Sequence, residues 1–210
     1  MRFYRRLDLV SGDSVRKFVP TKNQQNMKKH LPILLSAILF LSCKKGEDIQ
    51  PTDDNELITR VELKFTDVVA KSTLTYTFQD NDGDPRTAPE KFDKIALNKG
   101  VTYSLSIGVF DDSKSPVKDI TEEINEESDV HLFVYKATPA ALVTTTILDK
   151  DKNGLPIGLS SSVLASATPG IGKLNFILKH QPVLNGVKVK TGNEVGGSAD
   201  IDLLFDLEVK

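Results

Sequence analysis

The chain has 210 residues, of which 39% are hydrophobic, and a formal net charge of −2. Eight of its 27 basic residues and two of its 29 acidic residues lie before Cys43, so the chain from Cys43 onward carries a net charge of −8. An acidic body argues against nucleic acid as a partner and against direct adhesion to anionic lipid. Cys43 is the only cysteine and tryptophan is absent, which argues against disulfide chemistry and against a sugar-stacking platform.

The first apolar run of the chain, Leu31–Leu41, follows the basic segment Met27–Lys29 and ends just before Cys43. A positive segment followed by ~7–15 apolar residues is typical of a signal peptide, whereas a membrane-spanning helix needs ~20. The segment Phe40–Cys43 looks like a bacterial lipobox, in which the cysteine is lipidated and becomes the first mature residue. Stable anchoring takes at least two acyl chains, so a lipoprotein cysteine with three would hold the protein at a membrane. The alternative is that Cys43 is a small buried residue after a core helix.

A signal peptide is expected at the N-terminus, yet this one begins only at Met27. We therefore predict that translation starts at Met27 and that residues 1–26 are an N-terminal extension added by an error of gene prediction. The alternative is an unusually long basic segment before the apolar run. The predicted organisation is a signal peptide over residues 27–42, a lipidated cysteine and flexible tether over 43–56, and a single β-sandwich domain over 57–210.

From Ile58 onward, apolar and polar residues alternate with the period of two that a half-buried strand requires. The pattern predicts eight strands: Arg60–Thr66, Thr73–Phe78, Val101–Val109, His131–Lys136, Leu142–Leu148, Gly158–Ala167, Leu174–Lys179 and Asp200–Val209. One short helix is predicted within Asp119–Ser128. Many short strands with few helices favour an all-β fold, an antiparallel Ig-like or Greek-key β-sandwich of about eight strands.

Two turn-rich stretches carry acidic residues at alternate positions, which is the spacing of a calcium-binding loop. The first contains Asp80, Asp82 and Asp84, and the second contains Asp149, Asp151 and Asn153 followed by a glycine. An EF-hand is disfavoured because Ser160 stands where its bidentate glutamate is required and because strands flank the loop. The remaining interpretations are a calcium-binding loop of another kind and a plain turn, in which Asp and Asn bond their own backbone.

The predicted helix carries a cluster of four glutamates, at positions where like charges repel across one turn. These are Glu122, Glu123, Glu126 and Glu127. Together with His131 and His180 they would form a transition-metal site of mixed nitrogen and oxygen ligands. The alternative is a solvated helix face, with His180 at a strand end.

Several segments together resemble a group of Bacteroidota lipoproteins. They are Asn55–Thr59, Asp80–Asp84, Ile120–Glu127 with His131, Asp151–Leu159, Lys179–Pro182 and Gly196–Asp202. The resemblance covers nearly all of the chain from Cys43 to Lys210, and members carry labels such as "type 1 periplasmic binding fold superfamily protein" or "GTP cyclohydrolase". It implies a location in the cell envelope and no established activity.

The sequence contains no nucleophile elbow, Walker loop, dinucleotide-binding glycine motif, H-E-x-x-H motif or paired-cysteine motif, and no catalytic residue is assigned. We expect a lipid-anchored binding or interaction protein of the outer membrane, held by Cys43 and serving an outer-membrane protein partner. The alternative is a lipoprotein that binds a divalent cation at the acidic loops or at the glutamate and histidine cluster. A hydrolase is the third hypothesis and needs an acid–base pair that the sequence does not display. Which face of the membrane the protein occupies is left open.

Overall fold

The computed structural model describes residues 57–83 and 86–210. All of these belong to one compact unit. The predictions for the extension, the signal peptide, Cys43, the tether and Asp84 therefore lie outside the described residues. In the described part of the chain, no helix has the length and apolar composition that crossing a bilayer requires.

The described residues form thirteen strands and one short helix. In chain order they are β1 (Arg60–Asp67), β2 (Thr73–Gln79), β3 (Lys91–Phe92), β4 (Ile95–Leu97), β5 (Thr102–Asp111), β6 (Lys118–Asp119), α1 (Ile120–Glu126), β7 (His131–Thr138), β8 (Val143–Ile147), β9 (Ser160–Ala165), β10 (Gly170–His180), β11 (Val183–Leu184), β12 (Val187–Lys188) and β13 (Ser198–Val209). All eight predicted strands and the predicted helix are present.

The strands form two main sheets. The larger has the order β3-β2-β1-β5-β9-β8, with β6 also paired to β5, and the smaller has the order β4-β13-β10-β7. The pairings are antiparallel except that of β13 with β4, which is parallel. The prediction of an all-β sandwich is confirmed. A separate hairpin of β11 and β12 precedes β13.

The core lies between the two sheets because each contributes the apolar residues of one face. Val61, Leu63 and Phe65 of β1 are fully or almost fully buried. In the smaller sheet, the Phe133 ring stacks on the Phe176 ring with centroids 5.4 Å apart. Burying each large apolar side chain contributes about 1.5–3 kcal/mol, so this alternation stabilises the sandwich.

Helix α1 packs beside β5 through its two buried isoleucines, Ile120 and Ile124. Its N-terminus is capped by Asp119, whose carboxylate accepts a hydrogen bond from the Thr121 N–H at 2.8 Å. The helix ends at Glu126, and the backbone N–H of Glu127 still donates to the helix. The last turn therefore lies close to the start of β7.

Candidate metal centre

Two histidines lie opposite each other at one end of the smaller sheet. His131 begins β7, and the strand register pairs it with His180, the last residue of β10. Their rings stack with centroids 4.9 Å apart and planes inclined by 17°. Residues two apart share a face of a strand, so His131 lies on the same face as the core residue Phe133.

A β-bulge brings Asp200 to this histidine pair. In the pairing of β10 with β13, Ile201 faces Leu178 but Ala199 faces Lys179, which leaves Asp200 as an extra residue. A bulge re-aims side chains locally. One ligand atom from each of His131, His180 and Asp200 lies within 4.8 Å of the others.

Strict alternation places Asp200 on the polar face of its strand, so the pattern did not indicate it as a ligand. The signal that was available is the glycine pair just before β13, because glycines in strands often mark bulges or close backbone approach. Gly197 has φ of 67°. A Cβ at this position would lie 2.0 Å from the carbonyl oxygen of His180. Glycine is therefore required for β13 to begin against the end of β10.

The His131 ring has a defined tautomer. Its Nδ1 lies 3.1 Å from the main-chain carbonyl oxygen of Glu127, at the end of α1. A carbonyl only accepts, so Nδ1 carries the proton and Nε2 keeps its lone pair. Burial lowers the pKa of His131, and the nearby His180 and Lys190 lower it further. The Glu127 carbonyl and Asp200 raise it, but the net effect is a pKa below the ordinary value of histidine. The imidazole is therefore neutral at neutral pH and able to bind a metal.

Two buried polar side chains hold the segments around the histidine pair. Gln181 donates from its side-chain amide to the carbonyl oxygens of Asn193 at 3.0 Å and Val195 at 2.9 Å. Lys190 donates to the Ser128 carbonyl oxygen at 2.7 Å, three residues before His131. These contacts fix the loops that lead into β7 and β13.

Two imidazoles and one carboxylate are a donor set that zinc and neighbouring divalent transition metals accept. A tetrahedral ion with ligands at 2.0–2.1 Å holds them ~3.4 Å apart. The ligand atoms of the cluster lie up to 4.8 Å apart, and the two stacked imidazole rings hold their lone pairs in separate planes, so the side chains must move closer and rotate to share one ion. Three protein ligands also leave one coordination position open.

The four glutamates predicted as ligands do not join this cluster. Within residues 57–83 and 86–210, the group of potential ligands comprises His131, His180 and Asp200. Glu123 forms an ion pair with Lys118 at 3.0 Å instead. Glu122 and Glu126 are exposed, and Glu127 contributes its main-chain carbonyl. The contacts favour the solvated helix face over a glutamate metal site.

The loop with Asp149, Asp151 and Asn153 has its side-chain oxygens engaged by donors. Asp149 accepts from the backbone N–H groups of Gly158 at 2.8 Å and Ser160 at 3.0 Å. Asn153 accepts from Lys188 at 3.1 Å. These contacts favour the turn interpretation over a calcium-binding loop.

Asp151 in the same loop is buried. It accepts from the backbone N–H groups of Asn153 and Leu155, and from Lys190 at 2.9 Å. Burial raises the pKa of Asp151, but the hydrogen bonds from Lys190, Leu155 and Asn153 together outweigh it and hold the pKa below its ordinary value. Lys190 supplies the positive charge that a cation would otherwise bring.

In the other acidic loop, Asp80 accepts from the Gly83 N–H at 3.0 Å, and Asp82 accepts from the Thr87 hydroxyl at 3.1 Å. Asp80 also lines a cavity of about 530 Å³, together with Asp200 and Asp202 of β13. Asp200 therefore belongs both to the lining of this cavity and to the histidine cluster, whereas neither histidine is among the described residues that line the cavity.

The fold and the cluster define an all-β sandwich with a histidine, histidine and carboxylate group at one end of its smaller sheet. Comparisons with protein-family models, with curated proteins and with solved structures found no match. The side-chain chemistry of this group is thus the basis for assigning a function.

Proposed function

We propose that the protein is a lipid-anchored envelope protein that binds a divalent transition-metal ion of the zinc class. The observation that carries this proposal is that ligand atoms of His131, His180 and Asp200, each from a different strand, lie within 4.8 Å of one another. Imidazole nitrogen suits zinc, copper, nickel and iron, and a carboxylate completes a common ligand set for them.

The hydrogen bond to His131 gives further support. A metal-binding histidine usually donates its second ring N–H to a carbonyl or carboxylate, which fixes the tautomer and orients the ring. The Glu127 carbonyl has this position relative to Nδ1 of His131. A neutral imidazole with this tautomer does not need to lose a proton before its Nε2 binds a metal.

The membrane part of the proposal depends on the pattern that ends at Cys43. A lipidated Cys43, followed by the polar tether, would hold the metal-binding domain at the outer membrane. An outer-membrane protein that receives or supplies the ion is the proposed partner, which combines the binding and the metal interpretations of the sequence.

The test is a zinc titration of residues 44–210 in competition with a chromogenic chelator. This fragment contains all the described residues and their hydrophobic core. We expect one zinc ion per chain and at least a roughly 10–100-fold loss of zinc affinity in His180→Ala and in Asp200→Asn. Removing a residue that only hydrogen-bonds to a metal ligand already weakens metal binding by that factor, so removing a ligand should weaken it at least as much.

The matched control is the double variant Glu122→Gln, Glu126→Gln, which removes carboxylates from the exposed helix. It should bind zinc as the unaltered fragment does. Undiminished zinc binding by His180→Ala, or no zinc binding by the unaltered fragment, would contradict the proposal.

A further inference from the structure

Strand β8 forms one edge of the larger sheet, and one of its two sides is free. It pairs with β9, and the bond from the Leu148 N–H to the Ser160 carbonyl oxygen at 2.9 Å continues this pairing beyond the strand. Bonded residues alternate along an antiparallel pair, so the backbone groups of Val143, Thr145 and Ile147 point away from β9. No residue that the structure describes bonds to these groups.

The other sheet edges are short or partly covered, which is how proteins usually prevent strands from pairing between molecules. Strand β3 has two residues, and β4 has three. At the edge strand β7, the Phe133 N–H donates to the carbonyl oxygen of Ile157 at 2.7 Å, and Lys136 adds an exposed charge. Strand β8 has five residues and contains no charged residue and no proline.

The sequence of β8 is symmetric about Thr145. It reads Val-Thr-Thr-Thr-Ile, so two copies that pair antiparallel about Thr145 place Val143 opposite Ile147 of the second copy. In the same register Thr144 lies opposite Thr146 of the second copy. All the free backbone groups of both strands would then be bonded, and each cross-strand pair would consist of β-branched side chains, which stabilise such pairs. A two-fold interface requires this kind of self-complementary surface.

The surroundings of β8 carry no charge that opposes this pairing. Residues 137–148 are all uncharged. The next charged residue, Asp149, would lie opposite Ala141 of the second copy in this register. Like charges therefore do not meet across the two-fold axis, although the chain from Cys43 onward is acidic overall.

We infer that a second copy of this chain pairs with β8 in antiparallel orientation, so that the two larger sheets form one continuous sheet. The contact is small, because five residues of a strand span roughly 17 Å. The dimer is therefore weak and depends on protein concentration. It does not depend on the proposed metal site, since the histidine cluster belongs to the smaller sheet.

The experiment is analytical ultracentrifugation of residues 44–210 in the presence of EDTA, which removes any bridging metal. We expect a monomer–dimer equilibrium between roughly 10 µM and 1 mM, the range in which a small contact forms. The variant Thr144→Lys, Thr146→Lys alters two exposed side chains and places lysine opposite lysine at two points of the dimer. Its dimer dissociation constant should rise at least about tenfold at low salt, because like charges directly opposite each other destabilise a strand pair.

The matching variant Thr144→Glu, Thr146→Glu should also dimerise more weakly by itself. An equimolar mixture of the lysine and glutamate variants should form dimers again, because each lysine then lies opposite a glutamate. A variant that had failed to fold would not be restored by mixing. The two lysines also reduce the net negative charge of the fragment, so weaker pairing in that variant would be due to local repulsion.

The control is Thr73→Lys, Thr75→Lys on β2, at the opposite margin of the same sheet. Both threonines are exposed, and β3 covers only the Phe78 and Gln79 end of β2. The control should dimerise as the unaltered fragment does, whereas loss of its dimer would place the contact at the wrong edge and overturn the inference.

The inference would also be overturned by a monomeric unaltered fragment at every concentration, or by undiminished dimers of the lysine variant. A mixture of the lysine and glutamate variants that stays monomeric would contradict the register centred on Thr145. None of these results bears on the proposed metal binding, because the measurement is made without metal.

Discussion

The loop around Asp151 and the cluster around His131 are both polar, and Lys190 connects them. Its ammonium group donates to Asp151 and to the carbonyl oxygen of Ser128, three residues before His131. In the loop, Asp151 is matched by two backbone donors and by the buried Lys190. In the cluster, the His131 ring uses one nitrogen for a carbonyl, and its other nitrogen retains its lone pair. The difference shows that the spacing of acidic residues in sequence does not reveal whether donors within the protein already occupy their oxygens.

The largest expected effect comes from breaking the buried Asp151–Lys190 pair, in which the two side chains are 0% and 2% exposed. Asp151→Ala should lower the free energy of unfolding by about 3–5 kcal/mol, because Lys190 is left as an unpaired buried charge. Urea unfolding at pH 7 measures this change.

The matched control for that pair is Lys118→Ala at the surface pair of Lys118 with Glu123. Exposed pairs contribute about 0–1 kcal/mol, so this change should be small. If Asp151→Ala cost no more than Lys118→Ala, the loop would not have the structural role assigned to it.

Gly197→Ala should have the next largest effect, because it forces a left-handed backbone on alanine and places a Cβ against the His180 carbonyl. The left-handed conformation alone costs about 1–2 kcal/mol, and the contact adds to it. The variant should also bind zinc more weakly, since His180 must shift. Urea unfolding and the chelator titration measure the two effects.

Gly186→Ala separates these two causes. Gly186 also has positive φ, 78°, but a Cβ there would meet no atom within 4 Å. It should therefore show the conformational cost with unchanged zinc affinity. Equal losses of zinc affinity in the two variants would contradict the role assigned to Gly197.

A third prediction concerns pH. Because the pKa of Asp151 is lower in the folded protein than its ordinary value, the unfolded chain binds the proton more readily. The resulting stability is fully present above the ordinary Asp pKa of about 3.9 and is lost as pH falls through the folded value. Urea unfolding between pH 7 and pH 2.5 should show this loss, and Asp151→Asn should lack that part of it. Parallel curves for the two proteins would contradict the prediction.

The smallest effect is expected on the glutamate helix. Glu122 and Glu126 are four residues apart on one exposed face, so Glu126→Gln should stabilise the protein by about 0.2–0.5 kcal/mol through relief of like-charge repulsion. Its zinc affinity should be unchanged. A clear loss of zinc affinity would indicate that the glutamates take part in metal binding. It would contradict the distinction drawn between the exposed helix and the histidine cluster.

The sequence predicted the long strands because their apolar alternation follows from local geometry. The β1 and β10 patterns place Phe65 and Phe176 in the core without knowledge of their partners. The strands β3, β4, β6, β11 and β12 have two or three residues each, too few to show a period. Their pairing depends on distant chain segments, as in the parallel contact of β4 with β13.

The candidate site was predictable in part. His131 and His180 were indicated, and the structure brings them together as cross-strand neighbours. Asp200 was not predicted as a ligand. A single-residue bulge changes where its side chain points, and the alternation of apolar and polar residues does not reveal where a bulge occurs. The glutamates were predicted as ligands because of their charge density. In the structure they lie on the outer side of the helix, and Glu127 at its end contributes only its main-chain carbonyl to His131.

The most direct test of the account is X-ray absorption at the zinc edge of zinc-loaded residues 44–210. This fragment contains two histidines, His131 and His180, so the number of imidazoles around the metal identifies both. The account predicts two imidazole nitrogens and one carboxylate from the protein in the first shell, with a remaining light ligand. A shell made of oxygen ligands without imidazole would contradict it.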